Sequence, residues 1–262
     1  NESINFHPFV DAPAAGLAAV GFALQTGSPT ALVPGDAAPA VQTFEATSIA
    51  WTNSLPLIVI SSESDNQGDP SVPLRQRANK HLPLQEMILP VVKATWTLNE
   101  EGAESDFVME EAVRVAREAR PGPTWITAPL SYQTRARIRP ELQSNQGLCQ
   151  VEEVDSSIAP VLDALGVAER PVLLLGRGVR QAGAVDSVKS FAESWGVPMV
   201  TSRSGMDCIE SGHPLNFGRA GAYGQRGANF IVQNADLLVV LGSSLGTSLV
   251  GRDPALFARR AK

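Results

Sequence analysis

Pro171-Val-Leu-Leu-Leu-Gly-Arg-Gly178 runs an apolar segment directly into a Gly-x-Gly turn. The apolar residues are successive, not alternate, which is the pattern of a strand buried on both faces, as in a parallel sheet covered by helices. Working outward, the same pattern recurs at Thr30–Val33, Pro56–Ser61, Val91–Trp96, Thr124–Thr127, Pro198–Thr201 and Leu237–Leu241, with Val172–Leu175 as the strand of the opening stretch. Helical periodicity fills the intervals at Pro13–Gln25, Glu104–Ala119, Ser156–Leu165, Val185–Trp195 and Ala222–Asn234. A last short helix is expected from Pro254 to Arg260, and Gly27 is placed to end the first helix. Strand–helix alternation predicts βαβ units. The fold class expected is α/β, with two open parallel-sheet domains of the Rossmann-like, doubly wound kind. The aperiodic polar stretch Ser131–Val154 reads as a linker, residues 131–154, between a first domain at 1–130 and a second at 155–262.

The bulk composition excludes several functions. The 262 residues carry a net charge of -6, which argues against a nucleic-acid surface. The densest basic cluster, Arg135, Arg137 and Arg139, falls in the linker and reads as solvated. Cys149 and Cys208 are far apart, so neither a zinc site nor a disulfide framework is expected, and a reducing, cytoplasmic setting fits. No apolar run approaches the roughly 20 residues that span a bilayer, so no membrane partner is expected. His7, His81 and His213 are not paired at ligand spacing, and no Gly-x-Ser-x-Gly elbow or P-loop occurs.

The glycines of Gly176-Arg-Gly178 allow either close approach of a phosphate or a plain tight βα turn. Ala235-Asp-Leu-Leu-Val-Val-Leu-Gly-Ser-Ser244 repeats the pattern, with Ser243 and Ser244 either lining a ligand or capping the next turn. Gly176, Thr201 and Gly242 all fall at carboxyl ends of strands, where open α/β sheets bind ligands, so they are candidates to line one small-molecule crevice.

Several strings, in order along the chain, resemble the thiamine-diphosphate enzyme family that includes acetolactate synthase and glyoxylate carboligase. They are Ala15-Gly-Leu-Ala-Ala-Val-Gly-Phe-Ala23 with Thr26-Gly27, Asn53-Ser-Leu-Pro-Leu-Ile-Val-Ile60, and Arg120-Pro-Gly-Pro-Thr-Trp-Ile-Thr-Ala-Pro129. Further on come Arg170-Pro-Val-Leu-Leu-Leu-Gly-Arg-Gly178, Trp195-Gly-Val-Pro-Met-Val-Thr201, His213-Pro-Leu-Asn-Phe-Gly218 with Gly221 and Gly224, and Ala235-Asp-Leu-Leu-Val-Val-Leu-Gly242. The resemblance implies a pyrimidine-binding domain, here shortened at its start, followed by a central domain related to NAD- and FAD-binding folds. It implies thiamine diphosphate with Mg2+ as cofactors. The metal would be held outside these residues, since the family's "GDG…N" motif does not occur in this sequence.

In the family a Glu precedes the first helix and drives the cofactor's activation. Here Ala12 aligns with it, and Asp11, one position earlier, is the candidate substitute. The family's "SGPGxxN" turn corresponds to Asp36-Ala-Ala-Pro-Ala-Val-Gln42, so Asp36, Pro39 and Gln42 are carried over as cofactor-side positions, with Gln76 for a family Gln. In the central domain the carried-over positions are Gly176, Arg177, Gly178, Thr201, Gly221, Tyr223, Gly242, Ser243 and Ser244. Ser244 and Ser248 stand where the synthase's flavin site has arginines, which weakens the case for FAD. The resemblance implies carboligation or decarboxylation of a 2-oxo acid by a homodimer or tetramer, and no turnover by these residues alone. The alternatives are a catalytically silent homologue acting in binding or assembly, and a protein that binds FAD or ADP.

Overall fold

The computed structural model describes residues 5–35, 37–63, 84–98, 105–133 and 158–262. They fall into two compact units, one within 1–151 and one within 152–262. Each unit is built on a four-stranded, all-parallel sheet with helices on both faces, the expected α/β class.

In the first unit α1 (Ala12–Thr26) leads to β1 (Thr30–Gly35), α2 (Ala37–Gln42), α3 (Phe44–Thr52) and β2 (Leu57–Glu63). Then follow α4 (Leu84–Ile88), β3 (Thr95–Thr97), α5 (Ser105–Arg117), β4 (Thr124–Pro129) and α6 (Leu130–Gln133), with strand order β1-β2-β4-β3. Helix α1 starts on Asp11, a cap the sequence reading did not assign, whose Oδ1 accepts from the Ala14 N–H at 2.8 Å; it ends, as predicted, on Gly27 at φ 67°. Adjacent strand residues go to opposite faces. Leu57, Val59 and Trp125 pack beneath α1 and α3, while Ile58, Ile126 and Ala128 pack under Val108, Ala112 and Ala116 of α5. Gly16 brings α1 against α3, since a Cβ there would stand 2.7 Å from the Ala46 Cβ. The Arg120-Pro-Gly-Pro string ends α5: the Gly122 N–H bonds the Ala116 carbonyl at 3.0 Å, and Lys93 Nζ donates to the carbonyls of Val115 and Glu118.

The second unit runs α7 (Ala159–Val167), β5 (Pro171–Leu175), α8 (Arg177–Gln181), α9 (Val185–Trp195), β6 (Met199–Thr201), β7 (Asn216–Arg219), α10 (Arg226–Asn234), β8 (Leu237–Leu241) and α11 (Thr247–Val250). Its strand order, β7-β6-β5-β8, puts the point where connections reverse direction between β5 and β8. Leu173, Leu175 and Met199 face Leu165, Val179 and Ala192, while Val172, Leu174 and Val200 face Ala228 and Val232. The start of β8 is tied to the start of β5 by Asp236, which accepts from the backbone N–H groups of Glu169 at 2.8 Å and Arg170 at 2.9 Å.

Four sequence expectations are corrected. The strand expected at Val91–Trp96 is only Thr95–Thr97; Leu89–Val91 is a 3-10 turn around Pro90, which has no N–H to give a ladder. The segment aligned with a flexible turn is helical over Ala37–Gln42, because alanines now stand where glycines would keep it flexible. The helix expected at Ala222–Asn234 begins at Arg226, and the one expected from Pro254 to Arg260 is a single 3-10 turn, Pro254–Leu256, stopped where Ala258 takes φ 47°. The short polar strand β7 was not expected at all. Of the residues assigned to the linker, 134–154 lie outside the described residues, as do Asp36, Gln76, His81 and Cys149.

Burial disfavours charge on Asp236, but the two backbone N–H donors outweigh it, and its pKa lies below the usual carboxylate value of 3.8. A depressed pKa stabilises the fold above the unfolded value, and the contribution vanishes as pH falls through the folded one. Asp236→Asn is therefore expected to lower the urea midpoint at pH 7, with the gap to wild type closing as the pH is taken below 3.8; parallel urea titrations measure it.

Candidate functional site

The carboxyl ends of β5 and β8 meet at the switch point, where open α/β sheets bind ligands. Gly176, Arg177, Gly178, Gly242 and Ser243 come together there. The glycines are pressed against one another: a Cβ on Gly176 would lie 2.1 Å from the Gly242 carbonyl oxygen, and one on Gly178 would lie 2.6 Å from Gly242 Cα. Gly242 itself has φ 62°. Two of the turn's N–H groups are already used, Gly176 N donating to Leu241 O at 2.8 Å and Gly178 N to Gly242 O at 2.9 Å. A dinucleotide fold aims such donors at a diphosphate. Here those two N–H groups join β5 to β8 and are not free for a diphosphate. Ser243 Oγ accepts from the Leu245 N–H at 3.4 Å, the turn-capping role, and Ser244 is exposed. Burial pushes the Arg177 guanidinium pKa down, and likewise raises that of the Cys208 thiol, whose Sγ lies 3.7 Å from the Gly176 carbonyl oxygen.

Thr201 ends β6, buried, and its carbonyl accepts from the Ala220 N–H at 2.9 Å. It borders a separate polar hollow of about 370 Å³ with Ser211, Asn216, Arg219 and Gln225. Gly221 takes φ 109° and packs against the chain at 248–249, a Cβ there lying 2.8 Å from the Ser248 carbonyl oxygen; Asn229 clasps both its N–H and its carbonyl. Tyr223 is exposed, and its carbonyl takes a bond from Arg219 Nη2 at 2.8 Å. His213 is nearly buried: Nδ1 accepts from the Leu215 N–H at 3.2 Å, which puts the ring proton on Nε2, 2.9 Å from Glu193 Oε1.

In the first unit α1 runs antiparallel to β1, so Asp11 and Ala12 lie at the carboxyl edge of that sheet. Asp11 is exposed with one carboxylate oxygen committed to the helix cap, and Ala12 is buried. Pro39 and Gln42 lie on α2, with Gln42 exposed. The same edge carries an uncharged cluster not anticipated from the sequence: Gln85 Nε2 donates to the hydroxyls of Thr97 and Thr127, and Gln133 Nε2 to Ser62 Oγ at 2.9 Å. Those residues come from five separate elements, so no string announces them. Arg219 and Gln225 were equally hidden, in a loop-rich stretch whose visible signal is its glycines. Among the described residues no group of His, Cys, Asp and Glu is placed to hold a metal ion, and no helix is long and apolar enough to cross a membrane.

The second unit is thus a doubly wound parallel domain of the dinucleotide-fold type with its switch point closed by glycine packing. Comparison with known proteins specifies it further. Residues 158–262 match the model of the thiamine pyrophosphate enzyme central domain. The acetolactate synthase isozyme 1 large subunit of Escherichia coli (strain K12) is 29% identical over 242 residues, covering 91% of this chain and 41% of that protein. The acetolactate synthase large subunit of Lactococcus lactis subsp. lactis (strain IL1403) is 26% identical over 246 residues, 93% of this chain and 42% of that protein. A 3D-(3,5/4)-trihydroxycyclohexane-1,2-dione hydrolase of Geobacillus thermodenitrificans (strain NG80-2) is 34% identical over 139 residues, 52% of this chain and 22% of that protein. Residues 158–262 thus match the thiamine pyrophosphate enzyme central domain, and the chain as a whole is similar to acetolactate synthase large subunits, spanning less than half the length of these relatives.

Replacing Gly178 by Ala sets a Cβ against backbone that cannot move aside, and is expected to cost about 1–3 kcal/mol or more. Gly166, helical and with no heavy atom within 4 Å of an added Cβ, is the control: Gly166→Ala should gain about 0.5–1 kcal/mol. Denaturant unfolding of the two variants reads the difference.

Proposed function

We propose that the chain is part of a thiamine-diphosphate- and Mg2+-dependent enzyme that carboligates or decarboxylates a 2-oxo acid. The observation that supports this best is that likeness to acetolactate synthase covers 91% of the chain, both units included. In this reading residues 1–130 form the pyrimidine-side domain, 131–154 the connector and 155–262 the central domain of a cytoplasmic homodimer or tetramer. When bound, thiamine diphosphate supplies the carbon nucleophile and electron sink that a 2-oxo acid requires.

The first unit's residues fit the uncharged pyrimidine end. Its sheet edge offers Gln85 Oε1 as an acceptor beside the Thr97 and Thr127 hydroxyls. Asp11 holds α1 with Oδ1 and leaves its second oxygen without a partner among the described residues, so it can take or return a proton. Ala12 offers no such group. FAD is left out of the proposal, because Ser244 and Ser248 bring no positive charge for its diphosphate and two N–H groups of the glycine turn are already bonded to Leu241 and Gly242.

Asp11→Asn separates cap from acid, since Asn caps a helix as well as Asp does. The expected outcome in the full-length protein is unchanged thermal stability with turnover of pyruvate or glyoxylate down about 10²-fold or more and an altered pH profile. Calorimetric titration with thiamine diphosphate and Mg2+ runs alongside. No cofactor binding by the wild-type protein would favour the silent-homologue reading, for which the small buried side chain at Ala12 speaks.

A further inference from the structure

The hollow at the carboxyl ends of β6 and β7 is lined with donors. The Arg219 guanidinium is permanently charged. Its Nη2 donates to the Tyr223 carbonyl at 2.8 Å, but Nη1 has only the Met206 thioether at 4.0 Å, a weak acceptor, and the buried Nε has no acceptor. Nearby carboxylates are engaged elsewhere: Asp207 lies 3.1 Å from Arg180, and Glu210 3.1 Å from Lys189. Among the described residues no acid pairs with Arg219.

Gln225 turns its Oε1 to the Arg219 backbone N–H at 2.6 Å, over Gly218, where a Cβ would lie 1.9 Å from that oxygen. Gln225 Nε2 is left as a donor. The hydroxyls of Thr201 and Ser211 complete the lining, again without protein partners among the described residues. Asn216 is satisfied internally, through Gly218 N and Glu210 O, and adds no competing acceptor. A cavity holding a cation, an amide and two hydroxyls, with no carboxylate in its wall, is complementary to an acceptor-only ligand with negative charge.

We propose that this hollow binds a small oxyanion, a phosphate or carboxylate group, with Arg219 as its counter-ion and Thr201, Ser211 and Gln225 as hydrogen-bond donors. The half-exposed side chains of Met206 and Phe217 form an apolar wall for the rest of such a molecule. None of the glycine-turn residues lines the hollow, and the proposal does not depend on thiamine chemistry.

The test is calorimetry on the full 262-residue chain with inorganic phosphate and, separately, malonate, in chloride buffer of low ionic strength. Saturable binding of either supports the site, and the preferred anion identifies its source. Arg219→Gln is expected to weaken that binding about tenfold or more, with Arg252→Gln, an exposed control, leaving it unchanged. Should Arg219→Gln fail to fold, the near-isosteric Thr201→Val serves in its place and must still weaken binding severalfold. Failure of both anions to saturate at millimolar concentration overturns the proposal, as does full affinity in the Arg219→Gln or Thr201→Val protein.

Discussion

The second unit depends on a contact between bare backbones. Where β5 ends, Gly176 and Gly178 lie against Gly242 at the end of β8, closer than any side chain would allow. The contact fixes the spacing of β5 and the edge strand β8 and uses two of the turn's N–H groups, while the polar hollow lies at β6 and β7. A Gly-x-Gly after a strand thus has two incompatible uses, holding a phosphate or holding another strand, and the hydrogen-bond partners of its N–H groups tell them apart.

The first unit shows a similar economy at Asp11. A carboxylate at the start of a helix is a good cap, since it satisfies orphan N–H groups and complements the dipole. That structural duty takes one oxygen and leaves the other. A residue in this position can hold the fold together and still do proton chemistry, so sequence alignment at Ala12 and Asp11 does not by itself decide whether the chemistry survives.

The fold was legible because it rests on apolar runs. Val185–Trp195 and Leu237–Leu241 are as expected to the residue, and Gly27 and Gly196 take the left-handed conformation that ends a helix. Reading failed where local chemistry, not periodicity, sets the structure. The β7 strand, Asn-Phe-Gly-Arg, lies at a sheet edge with no apolar run to betray it. Helix α3 has little amphipathic contrast, and Thr47, Ser48 and Thr52 bond back to carbonyls of their own chain. The site was less legible than the fold. Motif strings marked the glycines and Thr201, but the roles proposed for Arg219, Gln225, Gln85 and Thr127 rest on residues of separate elements meeting, and no spacing records that.

The Asp236 clamp has a consequence for how the second unit assembles. It joins β5 to β8 across 66 residues of sequence, and β5 is a central strand with β6 on its other side. Half of the β5 edge bonding therefore waits until the chain through β6, β7 and α10 has been made and folded back. Closing so long a loop is entropically slow, and until it closes the apolar edge of β5 stays open to wrong partners. The unit's folding is gated by its last long strand, and a nascent chain that stops short of β8 carries an unfinished sheet.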